Sequence, residues 1–95
     1  MHHNKQIKEI NNMEIYIITK LVDDGDGAIN SILGVEKDIT SARVILNNDV
    51  EELLQEYNLD KEYVDTYGDN IVVSHTDGEM SNYIYASYDI EIWNI

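Results

Sequence analysis

Apolar residues along this chain follow two periods, and the boundaries between those periods divide it into elements. Residues 14–22 read Glu-Ile-Tyr-Ile-Ile-Thr-Lys-Leu-Val. This run is rich in β-branched and aromatic side chains and apolar on both faces, which predicts a central β-strand. Asp23, Asp24, Gly25, Asp26 and Gly27 follow, and their two glycines are free to take positive φ in a turn. A second strand is predicted over residues 28–35, where Ile29, Leu33 and Val35 alternate with Asn30 and Gly34, so the two strands form a hairpin.

The period lengthens after Lys37. Ile39, Ala42, Leu46, Val50, Leu53 and Tyr57 are spaced three or four positions apart, which is one stripe of an α-helix. Asp38 or Thr40 can cap its start. Asn47, Asn48 and Asp49 are poor helix formers, and Asp49 with Glu52 could cap a second helix, so a kink or break is expected there. A competing reading makes residues 42–46, from Ala42 through Arg43, Val44 and Ile45 to Leu46, a short strand. Residues 58–70 are acidic and tyrosine-bearing and end in a Gly68-Asp69-Asn70 turn signal.

Residues 71–75 predict a short strand, Thr76, Asp77 and Gly78 a turn, and residues 83–93 a long strand. In the last strand Ile84, Ala86, Tyr88, Ile90 and Ile92 share the face assigned to the core. Tyr83, Tyr85, Ser87, Asp89, Glu91 and Trp93 share the other, where aromatics and carboxylates stand together as in an interface. The expected fold is therefore α+β in the order ββαββ: a four-stranded, mainly antiparallel sheet with one helix, kinked or straight, on one face. Ile17, Ile39, Ala42, Leu46, Leu53, Ile84, Ile90 and Ile92 are expected to be buried. With no proline in the chain, charge is expected to guard the sheet edges.

The 95 residues fit a single domain, read as residues 13–95. Residues 1–12 read as a flexible leader or tag-derived segment, because His2 and His3 precede a Met13 that opens the strand pattern. If natural, Ile7, Ile10 and Met13 would form one side of a helical turn. There is no cysteine, which excludes disulfides, thiolate metal sites and a cysteine nucleophile. No apolar run approaches the roughly 20 residues needed to cross a bilayer, so no membrane partner is expected and the expected location is the cytoplasm.

Charge changes this picture most. Nineteen acidic residues against six Lys and Arg give a formal net charge of −13. Such an excess opposes direct nucleic-acid binding, which needs cations to meet phosphates, and points to a basic partner. Spread evenly over the roughly 5,600 Å² that a folded chain of this mass exposes, it would place only about two to six charges in a nucleic-acid-sized footprint. Phosphate mimicry therefore requires clustering. Asp49, Glu51, Glu52, Glu56, Asp60, Glu62, Asp65 and Asp69 recur every few residues along the helix and the following segment, and they form the candidate charge surface. Tyr83, Tyr85 and Trp93 form the candidate aromatic surface.

Candidate chemistry is sparse. Asp24-Gly25-Asp26-Gly27-Ala28-Ile29 matches the middle of a calcium loop, but that register puts Val22 and Leu33 at ligand positions, so an acidic hairpin turn is the expected structure. Ser74, His75 and Asp77 are sequence neighbours, whose side chains alternate between faces and cannot form a triad. Glu51 with Glu52, and Asp23 with Asp24, read as solvated pairs, because a working acid and base needs one desolvated member. No phosphate-binding or dinucleotide fingerprint occurs, and no metal or cofactor is implied.

Three segments carry a resemblance: Met-Glu-Ile-Tyr-Ile-Ile at 13–18, Ile32-Leu33-Gly34-Val35 before the capped helix with Ala42, and the tyrosine-rich strand from Tyr83 to Trp93. In these the segment from Met13 resembles small acidic proteins of bacteriophages and mobile elements, including anti-CRISPR and anti-restriction proteins that imitate nucleic acid. The resemblance implies a non-enzymatic inhibitor of a host nucleic-acid-binding protein such as a CRISPR effector or restriction enzyme. The alternative is an acidic accessory protein acting through self-association, as a homodimer, or through another protein partner. A third reading is a small enzyme with its site spread through the fold.

Overall fold

Backbone pairing and one packed helix account for most of the chain. The computed structural model describes residues 13–76 and 83–95, so the predicted leader and the Asp77-Gly78 part of the predicted turn lie outside the described residues. The elements are β1 (Glu14–Asp23), β2 (Ala28–Glu36), α1 (Ile39–Glu56), a single 3-10 turn (Lys61–Tyr63), β3 (Val64–Tyr67), β4 (Asn70–His75) and β5 (Ile84–Asn94). All pairings are antiparallel, in one sheet of order β2-β1-β5-β4-β3. The α+β class and the central place of β1 match the expectation from sequence.

The sheet has five strands where four were expected. The addition is β3, whose Val64, Asp65, Thr66 and Tyr67 lack a run of apolar residues and form a strand by pairing with β4. A two-residue loop, Gly68-Asp69, closes that hairpin, with Gly68 at φ +64° supplying the left-handed step that such tight turns need. In the first hairpin Gly25 and Gly27 take φ of +100° and +127°. The Asp23 and Asp24 carboxylates accept from the Gly25 and Asp26 amides at 2.9 and 3.1 Å.

α1 runs unbroken through Asn47, Asn48 and Asp49, so the expected break is absent and the strand alternative for residues 42–46 is overturned. Ala42, Leu46, Val50, Leu53 and Leu54 are buried against the sheet, and packing on both sides of the weak stretch outweighs its poor propensity. Asp38 caps the start: its carboxylate accepts from the Ser41 amide at 3.0 Å. At the other end Asn58 takes φ 54°, and the Asn58 and Leu59 amides donate to the carbonyls of Gln55 and Leu54. This is a Schellman closure with asparagine in the left-handed position.

The core lies between α1 and one face of the sheet, around Ile18, Val73, Ile84, Ala86 and Tyr88. Of the residues expected inside, Ala42, Leu46, Leu53, Ile84 and Ile90 are buried. Ile17 and Ile39 are only partly covered, and Ile92 is 59 % exposed. Ile17 points to the face opposite the helix. Ile92 lies near the end of an 11-residue strand, about 36 Å long, whereas the 18 residues of α1 extend about 27 Å. The expectation that charge guards the edges holds for β3, which carries Asp65. It fails for β2, which has no charge from Ala28 to Val35 and is interrupted by a bulge at Leu33.

Candidate acidic and aromatic interface

Three of the eight acidic residues assigned to a charge surface are engaged by cations. Asp49 turns inward from α1: Lys20 of β1 sits 2.6 Å from its Oδ1, and the Tyr88 hydroxyl donates to the same atom at 2.8 Å. Lys20 also lies 5.6 Å from the Tyr88 ring centroid. Burial first, then the Asp49 hydrogen bond and charge, push the Tyr88 phenol far above its ordinary value. Asp69 accepts from both Nε and Nη2 of Arg43 at 2.8 and 3.3 Å, and this pairing holds its carboxyl below the usual range. Glu51 stands 4.0 Å from Lys61.

Asp65 belongs to the other side of the molecule. It pairs across the sheet with Val72, and Val72 with Ser87, on the face that α1 does not cover. Glu52, Glu56, Asp60 and Glu62 remain, all exposed, on the C-terminal half of α1 and the segment after it. The eight residues therefore do not share one surface; Glu56, Asp60 and Glu62 lie at the C-terminal end of α1 beside Tyr57 and Tyr63, while Glu52 and Glu56 border a groove with Lys20 and Asp49.

At that end a cleft of about 620 Å³ opens between the C-terminus of α1, the β1–β2 turn and the start of β5. Asp24, Tyr57, Asp60, Tyr63, His75 and Tyr83 line it. Burial, with the charges of Glu56 and Asp24, raises the Tyr57 phenol; Glu62, then burial, raises that of Tyr63. The His75 ring meets Tyr63 edge-on, with centroids 4.6 Å apart at 70°. Among the described residues none makes an ion pair with Asp24, Glu56, Asp60 or Glu62. Carboxylates beside tyrosine faces are suited to receive a Lys or Arg side chain by charge and cation–π contact.

Asp24, Tyr57 and Tyr63 are neighbours of the acidic helix end that no local pattern in the sequence brings together. The only signal available was Tyr57 at the end of the helical stripe. The aromatic set does not converge: Tyr83 precedes β5 and lines the cleft, whereas Trp93 lies near the far end of β5, ten residues on, about 33 Å. Ser74 and His75 point to opposite faces, as their pairing with Tyr85 and Ile84 requires. The acidic turn at Asp24 and Asp26 lies between two strands, not two helices. Among the described residues no group of three or more His, Asp or Glu could hold a metal ion, and no helix is long and apolar enough to cross a membrane. Comparison with protein-family models, with curated proteins and with solved structures finds no match.

Proposed function

We propose that this chain is a non-enzymatic inhibitor that offers carboxylates to a basic, nucleic-acid-binding protein of a host cell, in the place of phosphates. CRISPR effectors and restriction enzymes are the partner class this reading names. The observation that carries it is the end of the molecule where Asp24, Glu56, Asp60 and Glu62 flank Tyr57 and Tyr63 with no ion pair to a described cation. Glu52 lies one helical turn back from Glu56 on α1, where both border the groove that holds Lys20.

The test is affinity capture from host lysate on the immobilised full chain, with elution by rising salt. Steering by exposed charges is screened within about 8 Å at physiological ionic strength, so the captured complex should weaken steadily as salt increases. The double reversal Glu52→Lys with Glu56→Lys should lose it while keeping the circular dichroism of the fold. Capture that survives both the reversal and molar salt would assign the acidity to solubility alone. A second reading, a self-associating accessory protein, draws on the uncharged β2 edge. Light scattering that shows a dimer growing with concentration would favour it.

A further inference from the structure

One helix covers one face of a five-stranded sheet, and no other described element lies on the second face. On that face the register sets Val35 beside Ile17, Ile32 beside Thr19, and Ile15 beside Trp93. Ile15, Ile17, Ile32, Val35 and Trp93 thus form one apolar corner across β2, β1 and β5. Ile32, Val35 and Trp93 are 67, 51 and 53 % exposed, an apolar continuity of the kind that marks interaction surfaces.

Charge selects the occupant. Glu91 pairs with Ile17 and Asp89 with Thr19, so two carboxylates border the corner on the same face, and Asp65 lies further out on β3. No Lys or Arg of the described strands projects there, since Lys20 points to the helix side. A second copy stacked on this face would bring these carboxylates close to its own with no strand Lys or Arg between them. We propose that this corner binds a partner segment that carries apolar side chains next to Lys or Arg. The proposal shares only the sign of the partner's charge with the helix-side reading, and because the surfaces lie on opposite sides of the sheet each can fail alone.

Trp93 is the only tryptophan in the chain, so its emission and its quenching by acrylamide report directly on this corner. The probe is a synthetic peptide of alternating Leu and Lys, with Leu/Glu and Ser/Lys peptides as controls, added to the full chain. The Leu/Lys peptide should shift emission to the blue and cut quenching at least threefold in a saturable way; neither control should. Ile32→Ser with Val35→Ser, checked for folding by circular dichroism, should weaken the response at least tenfold. Asp89→Asn with Glu91→Gln should weaken it more than Glu52→Gln with Glu56→Gln, which removes the same charge from the other side. Equal effects of those two pairs, or an equal response to the Ser/Lys peptide, would overturn the proposal by reducing it to diffuse attraction. Protection of Trp93 that grows with protein concentration alone would give the face to a second copy. Protection present in the free chain and lost on removal of residues 1–12 would give it to the chain's own N-terminal segment.

Discussion

Replacing Tyr88 by Phe removes one hydroxyl from a fully buried ring and leaves the ring's volume in place. The lost hydrogen bond, 2.8 Å to the Asp49 carboxylate, is of the charged class worth about 1.5–3 kcal/mol. Asp49 keeps Lys20 at 2.6 Å and retains some solvent contact, so the lower end applies and the variant should lose about 1.5 kcal/mol at pH 7. The same burial makes the effect depend on pH. The folded chain keeps this phenol protonated above the pH at which the unfolded chain ionises it. The stabilisation is therefore complete well below about pH 10 and is lost as pH rises past it. By pH 11 ionisation of an ordinary tyrosine favours the unfolded chain by about 1.4 kcal/mol, a cost that Tyr88→Phe escapes. Urea unfolding of both proteins at pH 7 and pH 11 measures this. The difference should shrink to within about 0.5 kcal/mol at the higher pH, since the other tyrosines contribute equally to both. A difference that stays constant, or tyrosinate absorbance showing all seven tyrosines ionised near pH 10 in the folded chain, would refute the placement of Tyr88.

Two further predictions rest on packing and on acid titration. Gly34 lets α1 approach β2: an added Cβ would stand 3.1 Å from the Cδ1 of Ile45, a side-chain end that can move. Gly34→Ala should therefore stay within about 1 kcal/mol of the parent, with gain in strand propensity set against crowding, whereas Gly34→Val should cost about 1–3 kcal/mol by urea unfolding. Asp38, held low by the Ser41 amide, and Asp69, held low by Arg43, contribute stability that is present above the ordinary aspartate value of 3.8 and is lost as pH falls through their lower folded values. The urea midpoint should drop from pH 5 to pH 3, and drop less in Asp69→Asn; an equal drop would show that the Arg43 pair contributes nothing.

Local pattern carried the elements that local pattern can specify. The Asp-Gly turn between two β-branched runs marks the first hairpin, and the stripe from Ile39 to Tyr57 marks α1, because both signals lie within a few residues. β3 was missed because Val64, Asp65, Thr66 and Tyr67 owe their conformation to β4, although Gly68-Asp69 between them and Asn70 is itself a tight-hairpin signal. The expected helix break failed for a non-local reason: Asp49, which could have capped a new helix, is held by Lys20 and Tyr88, 29 and 39 positions away in the chain. The same distance problem limited the site. Nothing near Asp69 in sequence announces Arg43, and nothing near Tyr57 announces Asp24, so which carboxylates are neutralised and which stand beside aromatics emerges only from tertiary packing.

Competition for one partner decides whether the chain occupies a nucleic-acid site. A nucleic-acid-binding protein captured by the chain is purified and loaded with its fluorescent DNA or RNA, and the full chain is titrated in at physiological salt. Occupancy of that site predicts that the chain displaces the nucleic acid to completion, that excess nucleic acid displaces the chain in return, and that Glu52→Lys with Glu56→Lys does neither. A stable ternary complex, in which the partner holds the chain and its nucleic acid together, would contradict it.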